Sequence, residues 1–186
     1  SEFADRGLNS VVFANNGSWA ISGGLKIRYW DLKSGALVKE VPEGGYGAQY
    51  LSISKDGKRL LTSGCDHIRL RDVDSGRVLK SYKGSQGWPA SGIFDAAILH
   101  PNGKWIVSKG LDASVRIKDI DTDEEIALLV GFPDGEWIVI TSEGYYNASP
   151  KGGQHLSVMI GDETHEVDKF YDVFYRPDIV AAKLGG

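Results

Sequence analysis

One segment of this chain occurs three times, and the distance between its copies limits the fold more than any other feature. The copies cover residues 27–39, 68–80 and 115–128. Each contains an aspartate before a polar turn. Asp72 follows Asp31 by 41 residues (72 − 31), and Asp119 follows Asp72 by 47 (119 − 72). A repeat of roughly 40 to 45 residues is the period of a four-stranded propeller blade.

Each copy predicts one β-hairpin. An alternating strand ends at the aspartate, a turn such as Lys-Ser-Gly or Asp-Ser-Gly follows, and a second strand of β-branched and aliphatic residues leaves the turn. Two more short apolar segments precede each copy, and an Asn-Gly or Asp-Gly turn separates them. Four strands per repeat indicate an all-β fold of antiparallel four-stranded sheets, with three blades over residues 4–130.

Composition and charge narrow the classes of partner. The chain has 25 acidic and 21 basic residues, a formal charge of −4 and no block of like charges, so neither a nucleic acid nor an anionic membrane is an expected partner. Cys65 is the only cysteine, which excludes an intrachain disulfide and leaves the compartment open. The chain shows no apolar run of roughly 20 residues and no secretory signal. Its location stays unknown, with the cytoplasm favoured.

The third copy carries a longer motif. Its residues from Asp112 to Asp119 follow the pattern D-x-[ST]-[IV]-x-[IL]-x-D, and the first copy contains the pair Trp30-Asp31. These features resemble the WD-repeat β-propellers. The resemblance implies structural roles for Asp31, Asp72 and Asp119, and for Asp112, whose counterpart in that family anchors a hydrogen-bond network between turn and strands.

The first two copies depart from the family pattern. The Gly-His pair of the family is missing from all three copies, and Arg71 and Lys118 replace the tryptophan. Residues 22–31 and 63–72 span 10 positions each, where the corresponding residues 108–119 span 12. We therefore expect the first two blades to lack the complete network.

After residue 130 the pattern changes. Residues 131–162 predict a divergent terminal blade or hairpin, with a polar and aromatic loop over residues 143–150 and one more strand over residues 155–160. Residues 134–150, together with Phe-Tyr-Arg-Pro-Asp at 174–178, resemble the end of the propeller region in large bacterial WD-repeat proteins, some of which carry a caspase-like domain.

Residues 163–186 predict a helical tail or linker. Apolar residues recur there at the spacing of one helix face. They are Val167, Phe170, Tyr171, Phe174 and Tyr175. Pro177 ends this helix, and a second short turn follows it. The apolar stripe either docks on the last blade or belongs to a linker between domains.

No pattern in the chain predicts a catalytic site, a metal site or a cofactor. Cys65 and His67 flank Asp66 in a hairpin turn, but the third group that would orient a nucleophile is missing. An acidic cluster near the tail consists of Asp162, Glu163, His165, Glu166 and Asp168. This cluster has neither calcium-loop nor zinc-motif spacing, so we interpret it as the solvated start of a helix.

Two aromatic residues stand in glycine-rich connections between blades. Tyr46 and Trp88 follow the repeat aspartates by 15 (46 − 31) and 16 (88 − 72) residues. Each either plugs the core of its blade or is an exposed anchor for a protein or peptide partner. With Asp66 and His67 as a polar rim, they form the predicted partner-binding set.

The sequence as a whole predicts a non-catalytic propeller segment that scaffolds protein–protein interactions. The alternative is a regulatory or positioning module of a larger, caspase-like hydrolase. Three to four blades are few for a closed ring, and an open end exposes a blade face. We therefore expect either further blades in a parent protein or self-association that completes the propeller.

Overall fold

A computed structural model describes residues 7–45, 47–64, 67–82, 96–109 and 112–185. The chain divides into two compact units, residues 1–111 and 112–186. Within the described ranges, no helix is long and apolar enough to cross a membrane.

The first unit begins with a four-stranded antiparallel sheet, the first sheet, in which each strand pairs with the next along the chain. Its strands are β1 (Ser10–Ala14), β2 (Trp19–Gly23), β3 (Lys26–Asp31) and β4 (Leu37–Pro42). Asn16 and Gly17 form the turn after β1 at φ of 53° and 83°, the left-handed backbone for which Asn-Gly is suited.

The second sheet has the same order and also lies in the first unit. Its strands are β5 (Tyr50–Ile53), β6 (Arg59–Ser63), β7 (Ile68–Asp72) and β8 (Val78–Tyr82). An antiparallel pair follows it, formed by β9 (Ala97–Leu99) and β10 (Trp105–Lys109).

The core of the first unit lies between the first two sheets. Ile21, Ile27 and Tyr29 of the first sheet and Leu60 of the second are fully buried together. Ile27 and Tyr29 alternate with more exposed residues along β3, as the two-residue period of a sheet requires. Each of the three aliphatic side chains contributes about 1.5–3 kcal/mol through burial, so this contact fixes how the two sheets pack.

The second unit contains another antiparallel sheet. Its strands are β11 (Ser114–Asp119), β12 (Glu125–Gly131), β13 (Trp137–Thr141) and β14 (Tyr146–Ala148), paired in that order. The prediction of an uninterrupted loop over residues 143–150 is wrong at β14. Three residues are too few to show an alternating pattern, and it is the backbone pairing of Asn147 with Val139 that makes this segment a strand.

A hairpin follows in the same unit. Strand β15 (Ser157–Ile160) pairs with β16 (Glu163–Glu166) through a turn in which Gly161 has φ of 62°. The predicted strand over residues 155–160 is confirmed from Ser157 onward. The helix start predicted at the acidic cluster is wrong, since backbone bonding to β15 takes this segment into a strand.

The tail contains a 3₁₀ turn at Val167–Phe170, then α1 (Tyr171–Phe174) and α2 (Pro177–Leu184). The helical stripe is interrupted at Tyr175, which has ψ of 92°. Helix α2 packs against β13 and β14 and buries Val180. Of the predicted stripe, Val167 is buried and the ring of Tyr175 contacts Tyr146 of β14, whereas Tyr171 is 48% exposed, so only part of the stripe docks. The all-β antiparallel class with a short helical tail is confirmed.

Candidate protein-binding face

Most of the predicted partner-binding residues lie outside the described part of the chain. Tyr46, Asp66 and Trp88 belong to the segments that the structure does not describe. Whether Tyr46 and Trp88 act as plugs or as anchors therefore stays a prediction.

His67 is described, and it is buried. Its residue exposure is 6%, and its Nε2 lies 2.7 Å from Oε1 of Glu43. A buried imidazole that donates to a carboxylate holds its own surroundings together, so this position favours a structural role. The assignment of His67 to a partner-binding rim stays a prediction.

Glu43 is the centre of a buried polar network that the sequence did not reveal. The Thr62 hydroxyl donates to its Oε1 at 2.8 Å, and Arg69 Nη1 donates to the same oxygen at 3.0 Å. Arg71 Nη2 donates to Oε2 at 2.7 Å. Burial alone raises the pKa of Glu43, but the hydrogen bond from His67, the charge of Arg71 and the other donors outweigh it and hold the pKa below its usual range.

No repeat signal could have found this glutamate. Glu43 lies in the connection between the first and second sheets, and the residue 41 positions later (43 + 41) is Gly84. The network therefore occurs where the family pattern is incomplete, and its carboxylate comes from a connecting segment rather than from the turn between two strands of one blade.

The three repeat aspartates share one local role. Asp31 Oδ1 accepts from the backbone N–H and hydroxyl of Ser34, at 2.7 and 2.8 Å. Asp72 Oδ1 accepts from the same two groups of Ser75, at 2.8 and 2.5 Å. Each aspartate thus closes the turn between the third and fourth strands of its sheet, and these hydrogen bonds lower the pKa of both carboxyl groups.

The third copy repeats this turn and adds the longer motif. Asp119 Oδ1 accepts from the backbone N–H groups of Asp121 and Thr122, at 2.8 and 2.9 Å. Asp112 Oδ1 accepts from Ser114, and its Oδ2 accepts from Arg116 Nη2 at 2.8 Å. Asp112 therefore ties the start of β11 to a side chain further along the same strand.

The two faces of the first sheet differ in what covers them. Ile27, Tyr29 and Ile21 point to the second sheet and are fully buried. On the opposite side, Val11 and Phe13 of β1 are 56% and 65% exposed, and Val38 of β4 is 53% exposed. We call this side the open face and define it by its apolar residues. They are Val11, Phe13, Ala20, Trp30 and Val38.

The polar groups of the open face are paired within the sheet. Trp30 Nε1 donates to Ser22 Oγ at 3.0 Å. Arg28 Nε donates to Glu40 Oε2 at 2.8 Å, and Lys26 bonds the other oxygen of Glu40. The hydrogen bonds from Lys26 and Arg28 lower the pKa of Glu40. The open face therefore offers apolar side chains beside a carboxylate that already has its partners.

The equivalent face of the second sheet is covered. Arg69 and Arg71 stand 41 residues after Arg28 and Trp30 (69 − 28 and 71 − 30). They point towards the first sheet, and both form ion pairs with Glu43 in the connection between the two sheets. The open face is thus the side that, in the next repeat, packs against the preceding sheet.

Among the described residues, no group of three or more histidine, cysteine or acidic side chains could hold a metal ion.

Comparison with known proteins places the chain beside WD-repeat proteins, although no family model matches it. It is 23% identical over 124 residues to autophagy-related protein 16 of Arabidopsis thaliana, covering 65% of this chain and 24% of that protein. It is 28% identical over 96 residues to the target of rapamycin complex subunit wat1 of Schizosaccharomyces pombe, covering 50% of this chain and 29% of that protein. The chain thus spans 24% and 29% of the length of these two curated relatives.

Solved structures establish the fold. The crystal structure of RRP9 WD40 repeats matches with a TM-score of 0.57 and 17% identity, over 76% of this chain and 47% of that one. The β-propeller domain of Cps50 (Swd1) from Myceliophteria thermophila matches with a TM-score of 0.54 and 18% identity, over 76% of this chain and 51% of that one. The chain has the WD40 β-propeller fold and spans about half of each of these propellers.

Proposed function

We propose that this chain is a non-catalytic WD-type propeller segment that scaffolds protein–protein interactions, and that its open face is a docking surface. The observation that carries the proposal is the exposure of Phe13, Val11 and Val38 on one side of a sheet whose other side is buried. Stacked repeats bury such faces against a neighbouring unit. Large exposed apolar patches on soluble proteins mark sites of protein contact.

The partner we assign to the open face is a second copy of this chain. Two arguments support that choice. The equivalent face of the second sheet is packed by a sheet of the same repeat type, so a blade is the occupant with matching shape. The chain spans about half of a solved propeller, so two copies carry about as many sheets as one ring.

The test is the mass of the protein in solution as its concentration changes. In sedimentation equilibrium we expect a dimer that dissociates on dilution, and we expect Phe13→Asp to shift the equilibrium to the monomer. Met159→Asp is the matched control, because Met159 is an exposed apolar residue of the second unit, 74% exposed and outside the open face. A monomer at every concentration, or equal effects of both variants, would contradict the proposed partner.

The bacterial, caspase-like context suggested by residues 134–150 stays a prediction. A regulatory or positioning role requires a hydrolase domain in the same full-length gene. Sequencing that gene decides it, because a reading frame without such a domain removes this alternative and leaves the scaffold proposal intact.

A further inference from the structure

The second unit contains a pocket of about 270 Å³ between β14, the 3₁₀ turn at Gly152–His155 and the helical tail. Three of its lining side chains are tyrosines and one is a carboxylate. The lining residues are Tyr146, Ala148, Ser149, Pro150, Gly153, Gln154, Asp168, Tyr171 and Tyr175. Ligand pockets occupy roughly 300–1,000 Å³, so this one suits a small head group rather than a whole cofactor.

The three tyrosines form one connected cluster. The rings of Tyr171 and Tyr175 stack with centroids 4.5 Å apart and planes at 17°, and Tyr146 meets Tyr175 at 5.5 Å and 64°. Backbone contacts hold the cluster in place, because the N–H of Arg176 donates to the carbonyl of Tyr146 at 3.0 Å. Tyr146 is buried, whereas Tyr171 is 48% exposed.

The charge in the pocket is negative. Among the nine described lining residues, Asp168 is the acidic one and none is a lysine, arginine or histidine. Burial raises the pKa of the Tyr146 hydroxyl, and the charge of Asp168 raises it further. An anionic ligand would meet this carboxylate, so the site favours a cation.

Gly153 keeps the space beside the carboxylate open. A methyl group added there would lie 3.7 Å from the Tyr146 hydroxyl oxygen and 3.9 Å from Asp168 Oδ1. These are ordinary contact distances, so alanine fits without strain and occupies part of the volume between the two groups.

We propose that this pocket binds a quaternary ammonium group, of the kind carried by a trimethylated lysine side chain or by a choline head group. Such a cation forms few hydrogen bonds and is held by the negative faces of aromatic rings together with a nearby carboxylate. Tyrosine rings on adjoining elements and one acidic side chain supply that combination here. The proposal concerns the second unit and does not depend on the open face.

The first experiment compares two probes of the same shape. Choline and its neutral isostere 3,3-dimethyl-1-butanol are titrated into the protein at matched ionic strength, and binding is followed by isothermal calorimetry and by ¹H–¹⁵N chemical shifts. We expect saturable binding of choline and affinity for the isostere at least about 2-fold weaker, because a cation–ring contact contributes about 0.5–2 kcal/mol. Equal affinities, or no saturable binding of choline, would overturn the proposal.

Two substitutions at Tyr171 separate the contribution of the ring face from that of the hydroxyl group. We expect Tyr171→Ala to weaken choline binding by about 2- to 30-fold and Tyr171→Phe to leave it nearly unchanged, because phenylalanine keeps the aromatic face. The matched control is Tyr50→Ala, since Tyr50 is 43% exposed and lies in the other unit. Loss of binding in the phenylalanine variant as large as in the alanine variant contradicts a ring-face site.

Two further substitutions address the charge and the volume. Asp168→Asn should weaken choline binding and leave binding of the neutral isostere unchanged, and Gly153→Ala should weaken both. Asp172→Asn is the control, because Asp172 is an exposed acid on the neighbouring helix that does not line the pocket. Equal losses at Asp168 and Asp172 would show a general charge effect and remove the site.

The last arm distinguishes the two sources of the cation. A peptide with one trimethyl-lysine and the same peptide with unmodified lysine are titrated beside choline. Tighter binding of the trimethylated peptide than of choline identifies a modified protein tail as the ligand, and choline binding with no measurable binding of either peptide identifies a small molecule or a lipid head. Equal binding of both peptides contradicts selection of a quaternary group.

Discussion

The first and second sheets are built from the same repeat, but the hydroxyl group at one equivalent position has a different hydrogen-bond partner in each sheet. Ser22 stands opposite Arg28, and Thr62 stands opposite Arg69, so the two hydroxyl residues occupy equivalent places. In the first sheet the Trp30 indole donates directly to Ser22. In the second sheet the residue equivalent to Trp30 is Arg71, and the carboxylate of Glu43 stands between it and Thr62.

The difference follows from what lies next to each sheet. Glu43 comes from the connection after the first sheet, so its bonds to Arg71 and Thr62 join two sheets. The Trp30 indole already bonds Ser22 within the first sheet, so this hydrogen bond requires no group from an adjacent sheet. The polar groups on the open face of the first sheet therefore bond to each other within that sheet. The covered face of the second sheet instead depends on the carboxylate of Glu43, which the preceding repeat supplies.

The largest effect is expected when the carboxylate is removed from the covered face. Glu43→Gln leaves the buried guanidinium of Arg71 without its counter-charge, and breaking a buried pair costs about 3–5 kcal/mol of unfolding free energy. Glu40→Gln is the matched change on the first sheet, where the carboxylate is solvated, and it should have little effect. Urea unfolding measures both variants, and similar losses would erase the distinction between the two sheets.

Acid should reveal the same contrast. The folded protein holds the pKa of Glu43 below its usual value of 4.5. The resulting stabilisation is fully present above that value and is lost as the pH falls through the folded pKa. We therefore expect the difference in unfolding free energy between the native chain and Glu43→Gln to narrow below about pH 4.5. A difference that is constant from pH 7 to pH 3 argues against an ionised Glu43.

A smaller loss is expected when the tryptophan of the family pattern is restored. Arg71→Trp replaces a guanidinium that bonds Glu43 and the carbonyl groups of Pro42 and Gly76. Thr62 still reaches the carboxylate, so we expect a loss of about 1.5–3 kcal/mol, the contribution of a hydrogen bond to a charged group. Arg71→Lys, which keeps the charge, should lose less. A gain in stability would show that the repeat pattern matters more than Glu43.

The sequence predicts the sheets well and their contacts poorly, for a physical reason. The repeat period and the turn dipeptides are local, so the antiparallel strands and the turns at Asp31 and Asp72 follow from residues near each other in the chain. Glu43 acts on residues 19 to 28 positions away, and nothing in the periodicity marks an acid that pairs across sheets.

The aromatic pocket shows the same limit. Tyr171 and Tyr175 were visible as part of one helical stripe, but Tyr146 stood in a segment without a strand pattern. Tyr146 contacts Tyr175 of the tail only because backbone pairing with β13 makes its segment the strand β14. The predicted anchors Tyr46 and Trp88 lie outside the described residues and remain predictions.

The smallest expected effect concerns the direct bond in the first sheet. Trp30→Phe keeps an aromatic ring on the open face and removes the N–H that donates to Ser22, so we expect a loss of about 0.5–1.5 kcal/mol, the net contribution of a neutral hydrogen bond. Ser22→Ala removes the same bond from the other side. If this face is complete by itself, a double-mutant cycle of the two changes gives a coupling energy of similar size, and the same cycle repeated with Glu43→Gln gives the same value. A coupling energy that disappears when Glu43 is changed means that the two faces are not independent. The Trp30–Ser22 hydrogen bond would then be energetically coupled to the Glu43 network of the second sheet.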